Sequence, residues 1–225
     1  MTVLGEATNP IIRWEWIVDE WDQIWEALRQ HLELTVLSVA LGCVLAAILS
    51  AIALRFRVTA APITAFTAFL YTIPSVAFFG LLVPYFGSLN RATAVIPLAA
   101  YTLLILVTNT IAGFDAVPAS VRESADGMGL TPTQRVLKVE LPLALPYIIA
   151  GLRIAVVSTV GLVTVASIIG QGGLGRLIHD GLRRTFWTPM TVGATLSILL
   201  ALSLDALIHV LGRKATPWSK AARVL

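Results

Sequence analysis

Three histidines, one cysteine and thirteen acids are the side chains with which this chain could do chemistry, and their spacing rules most chemistry out. His31, His179 and His209 fall in separate segments without metal-ligand spacing. Cys43 stands alone inside an apolar run, so neither an internal disulfide nor a cysteine metal site can form, and it reads as a small lipid- or helix-facing residue. No Gly-Lys pair occurs anywhere, hence no P-loop to cradle ATP phosphates. No nucleophile with a base and no convergent set of acids and histidines suggests a lipid-processing enzyme, and nothing calls for a cofactor. What remains is recognition, concentrated in one stretch: Arg122 to Pro142, RESADGMGLTPTQRVLKVELP, a charged island between long apolar runs.

The island reads as two short helices broken by glycine. Pro118 starts the first where a missing N–H costs nothing, and Gly127 and Gly129 let the chain leave it. Thr131, Pro132 and Gln134 form a capping-box start for the second, which is expected to stop before Pro142. Val121, Ala125 and Met128 share one face of the first helix, leaving Arg122, Glu123 and Asp126 available on others. Such a surface suits a partner with a mixed groove, and equally suits a loop packed on its own bundle.

The elements that position the island are set by composition. Of 225 residues, 57% are hydrophobic and 13% charged, with a mean hydropathy of +0.84, which marks a membrane protein. The first thirty residues carry acids and tryptophans where a cleavable signal would be basic and then apolar, so the first apolar helix is expected to stay. With about 20 apolar residues needed per crossing, charges punctuate five spans: Leu34 to Leu54, Val58 to Asn90, Ala92 to Phe114, Leu141 to Ile169, and Thr188 to Leu211. In the second, Pro62, Pro74 and Pro84 are expected to mark the start, a mid-helix kink and the exit. The fold class is therefore all-α, a polytopic membrane bundle.

Basic residues choose the side. Arg55 and Arg57, then Arg122, Arg135 and Lys138, then Arg213, Lys214, Lys220 and Arg223 fall on one face, read as cytoplasmic. The amino terminus is then outside and the carboxyl terminus inside. Arg176, Arg183 and Arg184 oppose this, but Leu174, Leu177, Ile178 and Leu182 recur at helical spacing, so their segment is expected to pack against the bundle mouth. Upstream, Trp14, Ile17, Trp21, Ile24, Trp25 and Leu28 line one side of a helix with acids opposite, an interfacial amphipathic helix leading into the first span. A contact with a binding protein is the alternative use of that face.

Polar residues inside the spans are the candidates for a solute path. Tyr71, Thr72 and Ser75 flank Pro74, which frees a backbone carbonyl; Asn109 beside Thr108, and Ser158 with Thr159, are the other polar pairs. The competing reading is a packed kink and hydroxyls bonded back to their own helices. Arg153 and Asp205 are expected to form a structural ion pair or to snorkel to the interface. Tyr71, Phe78, Phe79 and Tyr85 are the aromatics from which a cage for a cation would be built, although aromatics in a span are more often lipid contacts.

The spacing Glu123-Ser124-Ala125, then Gly129, then Val139-x-Leu141-Pro142 resembles the EAA loop of ABC importer permeases of the type I fold. That pattern runs EAA, three residues, Gly, nine residues, then Ile-x-Leu-Pro; Ser124 replaces the second Ala and Val139 the Ile. The resemblance implies a coupling helix seated in a cleft of a cytoplasmic ATPase, with Glu123, Ser124, Ala125, Gly129, Leu141 and Pro142 as its coupling residues. It also implies a permease domain over residues 32–212 with its cytoplasmic loop at 115–142, preceded by the amphipathic segment 1–31 and followed by a basic tail, 213–225. Leu70 to Gly87, Leu145 to Gly161 and Ile168 to Leu182 are similar to permeases for glycine betaine, choline, carnitine and related quaternary amines. A permease for an amino acid or another trimethylated compound shares this texture. The implied partners are two ATPase subunits, a second permease that is a copy or a paralogue, and an external solute-binding protein, expected as a separate chain because the tail is short. A scaffold that docks an ATPase without transport is opposed by the polar residues and prolines within the spans.

Overall fold

The computed structural model describes residues 10–218. Lys220 and Arg223 of the basic tail, and residues 1–9 of the amphipathic segment, lie outside the described residues. Among those described, the chain is helical with no strand. A short helix α1 (Trp14–Asp19) turns at Glu20 into α2 (Trp21–Arg55), which continues past residues 31 and 32 without a break. Next come α3 (Ala60–Thr72), α4 (Ser75–Phe86) and α5 (Ala92–Asp115), then the island helices α6 (Ala119–Gly127) and α7 (Pro132–Arg135). A π-helical turn, Val136–Glu140, leads into α8 (Leu141–Ala166), followed by α9 (Leu174–Arg183) and α10 (Trp187–Ala215). Four of these helical runs are long and apolar enough to cross a membrane, and α3 with α4 makes a fifth if the bent pair counts as one span.

The core runs along α5, whose Leu98, Leu103, Leu106 and Val107 pack against Leu34 and Ala46 of α2 and Ala155 and Val163 of α8. Close approach depends on small residues, as expected where lipid offers no hydrophobic drive between helices. A Cβ on Gly151 would lie 2.6 Å from the Cβ of Asn109, so α8 and α5 meet only because that atom is missing. By contrast, α10 is exposed along most of its length and is tied to α8 by a bidentate ion pair. Arg153 donates from Nε and Nη2 to the two carboxylate oxygens of Asp205, each at 2.7 Å, and Nη1 lies 3.3 Å from His209 Nδ1. The pairing expected from the sequence is therefore present. Asp205→Ala, which strands the guanidinium, is expected to lower the melting temperature of the purified protein by about 5 °C. Replacing both partners by Met should recover most of that loss in the same thermal scan.

Three sequence expectations change. Pro74 is not a kink: Ile73 and Pro74 are both extended, and α3 and α4 meet at 90°. Proline forces the residue before it out of the helical region and supplies no N–H, so the ladder is cut. Pro84 is not the exit either, because it sits inside α4, which ends at Gly87 with φ +82°. The second island helix does not stop before Pro142 but runs through the π turn into α8. Bonding from i to i+5 in that turn removes the i–4 partner that proline would have displaced.

The opposite end is held by one loop. Gln171 donates to the carbonyls of Ser88 and Asn90, while Gln30 and His31 of α2 accept from the amides of Gly173 and Leu174 at 3.2 Å each. His31, fully buried, has Nε2 at 3.1 Å from the Val160 carbonyl, so Nε2 carries the proton and Nδ1 accepts. This seats α9, and Leu174 and Leu177 pack on Ile24 and Ala27 as the bundle-mouth expectation required, although Leu182 stays exposed. The amphipathic stripe divides accordingly: Ile17, Ile24 and Leu28 turn inward, while Trp14, Trp21 and Trp25 face out.

Candidate functional site

The island is built by local rules before any tertiary contact. Pro118 is the N-cap of α6, and Gly129, at φ +79°, closes it. Leu130 N–H reaches the Ala125 carbonyl at 3.2 Å and Gly129 N–H the Asp126 carbonyl at 2.9 Å, the two bonds of a Schellman motif. Only glycine takes that left-handed position without strain. Thr131 then opens α7: its hydroxyl accepts from Gln134 N–H at 3.3 Å, and Gln134 Oε1 accepts from Thr131 N–H at 2.9 Å. Thr131→Ala should cost about 1 kcal/mol and speed amide exchange in α7 relative to α5, measured by hydrogen–deuterium exchange.

Charges then fasten the island to the bundle. Arg135 donates to both carboxylate oxygens of Asp126, at 2.8 and 2.6 Å, and from Nε to Glu140 at 2.9 Å. Arg122 approaches the same Glu140 oxygen at 3.5 Å and donates to the Phe114 carbonyl at 2.6 Å. Glu140 is buried at the centre, so α5, α6, α7 and the π turn share one ionic knot. The expectation that Arg122 and Asp126 stand free is therefore overturned. The knot was missed because Arg135 and Glu140, five apart, lie on different sides of an α-helix; the π turn brings them together.

What the island presents outward is narrower than expected. Ala125 is 1% exposed and Val121 half-buried, whereas Met128 is 72% exposed, so the apolar face is split between packing and display. Glu123 is exposed and, among the described residues, makes no ion pair; Ser124 is exposed with its hydroxyl bonded to the Ser120 carbonyl at 2.8 Å. Leu141 and Pro142 are half-buried in the first turn of α8. The coupling residues inferred from the motif thus separate into outward positions, Glu123, Ser124 and Gly129, and inward ones, Ala125, Leu141 and Pro142.

The candidate path residues gather only in part. Tyr71, Ser158 and Thr159 border one crevice with Tyr101 and Thr102, too narrow for a water molecule. Thr72, Thr159 and Asn109 bond back to the carbonyls of Phe69, Ala155 and Ile105, at 2.7, 2.7 and 2.8 Å. Pro74 caps α4 and Ser75 begins it, both outside that crevice. Tyr101, which sequence reasoning passed over, is the organiser: its hydroxyl donates to the Ile73 carbonyl at the break, and the rings of Tyr71 and Phe78 meet it edge-on at 5.8 and 5.9 Å. The signal for it was a lone tyrosine in an otherwise aliphatic run. No four-ring cage forms, since Phe79 is in the core and Tyr85 is exposed. No group of three or more metal-ligating side chains comes together among the described residues.

Residues 39–217 match the family described as binding-protein-dependent transport system inner membrane component. The chain belongs to that family. Among its relatives, the osmoprotectant import permease protein OsmW of Salmonella typhimurium is 38% identical over 192 residues, covering 84% of this chain and 89% of that protein. The choline transport system permease protein OpuBB of Bacillus subtilis is 34% identical over 188 residues, covering 84% of this chain and 86% of that one. A methionine ABC transporter solved in inward-facing conformations aligns at a TM-score of 0.77 and 20% identity, over 88% of this chain and 98% of that chain, which shows a common fold. The all-helical permease fold expected from the EAA-like loop is the fold of this inner membrane component.

Proposed function

We propose that this inner membrane component is the permease subunit of an ATP-driven importer for a quaternary ammonium osmoprotectant of the glycine betaine, choline or carnitine type. The observation that carries the reading is an island whose outward face, with Glu123, Ser124 and Met128, is set on a knot reaching α5 and the π turn that leads into α8. The names of the relatives support the solute class. ATP closes two ATPase subunits, their clefts draw the islands of two permeases together, and the bundle opens outward to receive solute from an external binding protein. The knot makes this possible, because a push on α6 is passed through Glu140 to the span that holds the polar crevice.

In this reading the island, Arg55, Arg57 and the end of α10 are cytoplasmic, and the amino terminus is outside. The exposed tryptophans of α1 and α2 sit at headgroup depth, and residues 32–212 form the transport domain. Purification in mild detergent from the native host, with mass spectrometry of what accompanies the protein, tests the docking. An ATPase subunit that is lost when Glu123→Lys is combined with Gly129→Pro supports it. Retention of the ATPase in that variant refutes docking through the island. A co-purified binding protein that takes up none of betaine, choline or carnitine, and instead an amino acid, keeps the permease role and overturns the solute.

A further inference from the structure

A cavity of about 940 Å³ lies beneath the island between α2, α5 and the start of α8. Its floor is apolar, with Cys43, Ala46 and Leu106, and its mouth carries Arg55, Arg57, Arg122 and Arg135 with Glu140. Arg122 and Arg135 are engaged by Glu140 and Asp126, and Arg57 by Asp115 at 2.7 Å. Arg55 rests over the Phe56 ring, 5.4 Å from its centroid, with no carboxylate among the described residues. The mouth is therefore net positive. Ala47, Ala51, Val136 and Leu137 line the cavity and are exposed, so it is an open groove bordered by α2 and the π turn and not an enclosed void. From Arg55 back to Cys43 is about 18 Å of helix.

A soluble anion would find charge at the mouth but no use for the floor. We propose that the cavity holds an anionic phospholipid of the leaflet on the island side, its phosphate between Arg55 and Arg57 and one acyl chain along Ala51 and Ala47 toward Cys43. The proposal needs the bundle to sit in a bilayer and does not depend on what the protein transports.

Native mass spectrometry of the full-length permease with its co-purifying subunits tests it, titrating dioleoylphosphatidylglycerol against dioleoylphosphatidylcholine. One retained lipid per permease is expected, with the anionic lipid favoured roughly tenfold or more. Arg55→Gln with Arg57→Gln should bring the two lipids near parity, and Ala47→Trp should remove the bound lipid. Should Ala47→Trp fail to yield a monodisperse complex, the arginine pair, both surface residues, still decides. An unchanged preference in that pair overturns the proposal. So does displacement of the lipid by inorganic phosphate, which would indicate a soluble-anion site. Disulfide formation between the Ala51→Cys positions of two permeases would make the groove a subunit interface and overturn it equally.

Discussion

Gly129→Pro is expected to abolish solute uptake while the protein still inserts in the membrane. The residue sits at φ +79° and its N–H holds the Asp126 carbonyl at 2.9 Å; proline fixes φ near −65° and has no N–H, so both halves of the helix stop are lost. A backbone penalty of about 3 kcal/mol corresponds to roughly a hundredfold loss of the correctly closed island. Because a Cβ here would meet nothing within 4 Å, the effect is conformational and not steric. Gly129→Ala should therefore give a partial loss, of the order of the 1–2 kcal/mol that a left-handed L-residue costs. Uptake into cells, set beside solute-stimulated ATP hydrolysis of the reconstituted transporter, separates the cases. Loss of both with normal membrane abundance places Gly129 in coupling; uptake at the unmodified level would remove the island from the mechanism.

Gly175→Val should have the largest effect on folding. A Cβ at Gly175 would lie 2.6 and 2.7 Å from Cα and C of Thr164, with the carbonyl oxygen closer still, and backbone atoms of a packed helix have nowhere to retreat. α9 must lift away from α8, exposing Leu174 and Leu177, each worth about 1.5–3 kcal/mol when fully buried. The bonds that the amides of Gly173 and Leu174 donate to Gln30 and His31 go with them. Fluorescence-detected size-exclusion chromatography after a heating series should show aggregation at the lowest temperature tested. Gly161→Ala is the matched control: its Cβ enters open space on the same helix as Thr164, and a Gly-to-Ala change in a helix interior is stabilising by roughly 0.5–1 kcal/mol. Equal melting of the two variants would show that the α9 seat does not limit stability.

Much of this protein is legible from residue order because its strongest constraints are local or one-dimensional. Apolar run length against bilayer thickness predicts the spans, and the pattern of glycine, threonine and proline predicts both ends of the first island helix and the start of the second, since caps are satisfied within a few residues. The charges Arg153 and Asp205 announce a pair because an unpaired charge in an apolar span is costly. Tertiary structure alone decides which of two permitted outcomes each residue takes. Ala125 and Met128 share a helix face, yet one is packed and the other displayed, because the bundle covers only part of α6. Arg122 and Asp126 read as free docking charges until Glu140, brought round by a π turn that no periodicity signals, ties them into the knot. Pro74 reads as a kink, and it is the docking of Tyr101 on the Ile73 carbonyl that accompanies a right-angled break. The cavity under the island has no sequence signature at all, for it is the space left between three helices whose residues each look like ordinary span and loop.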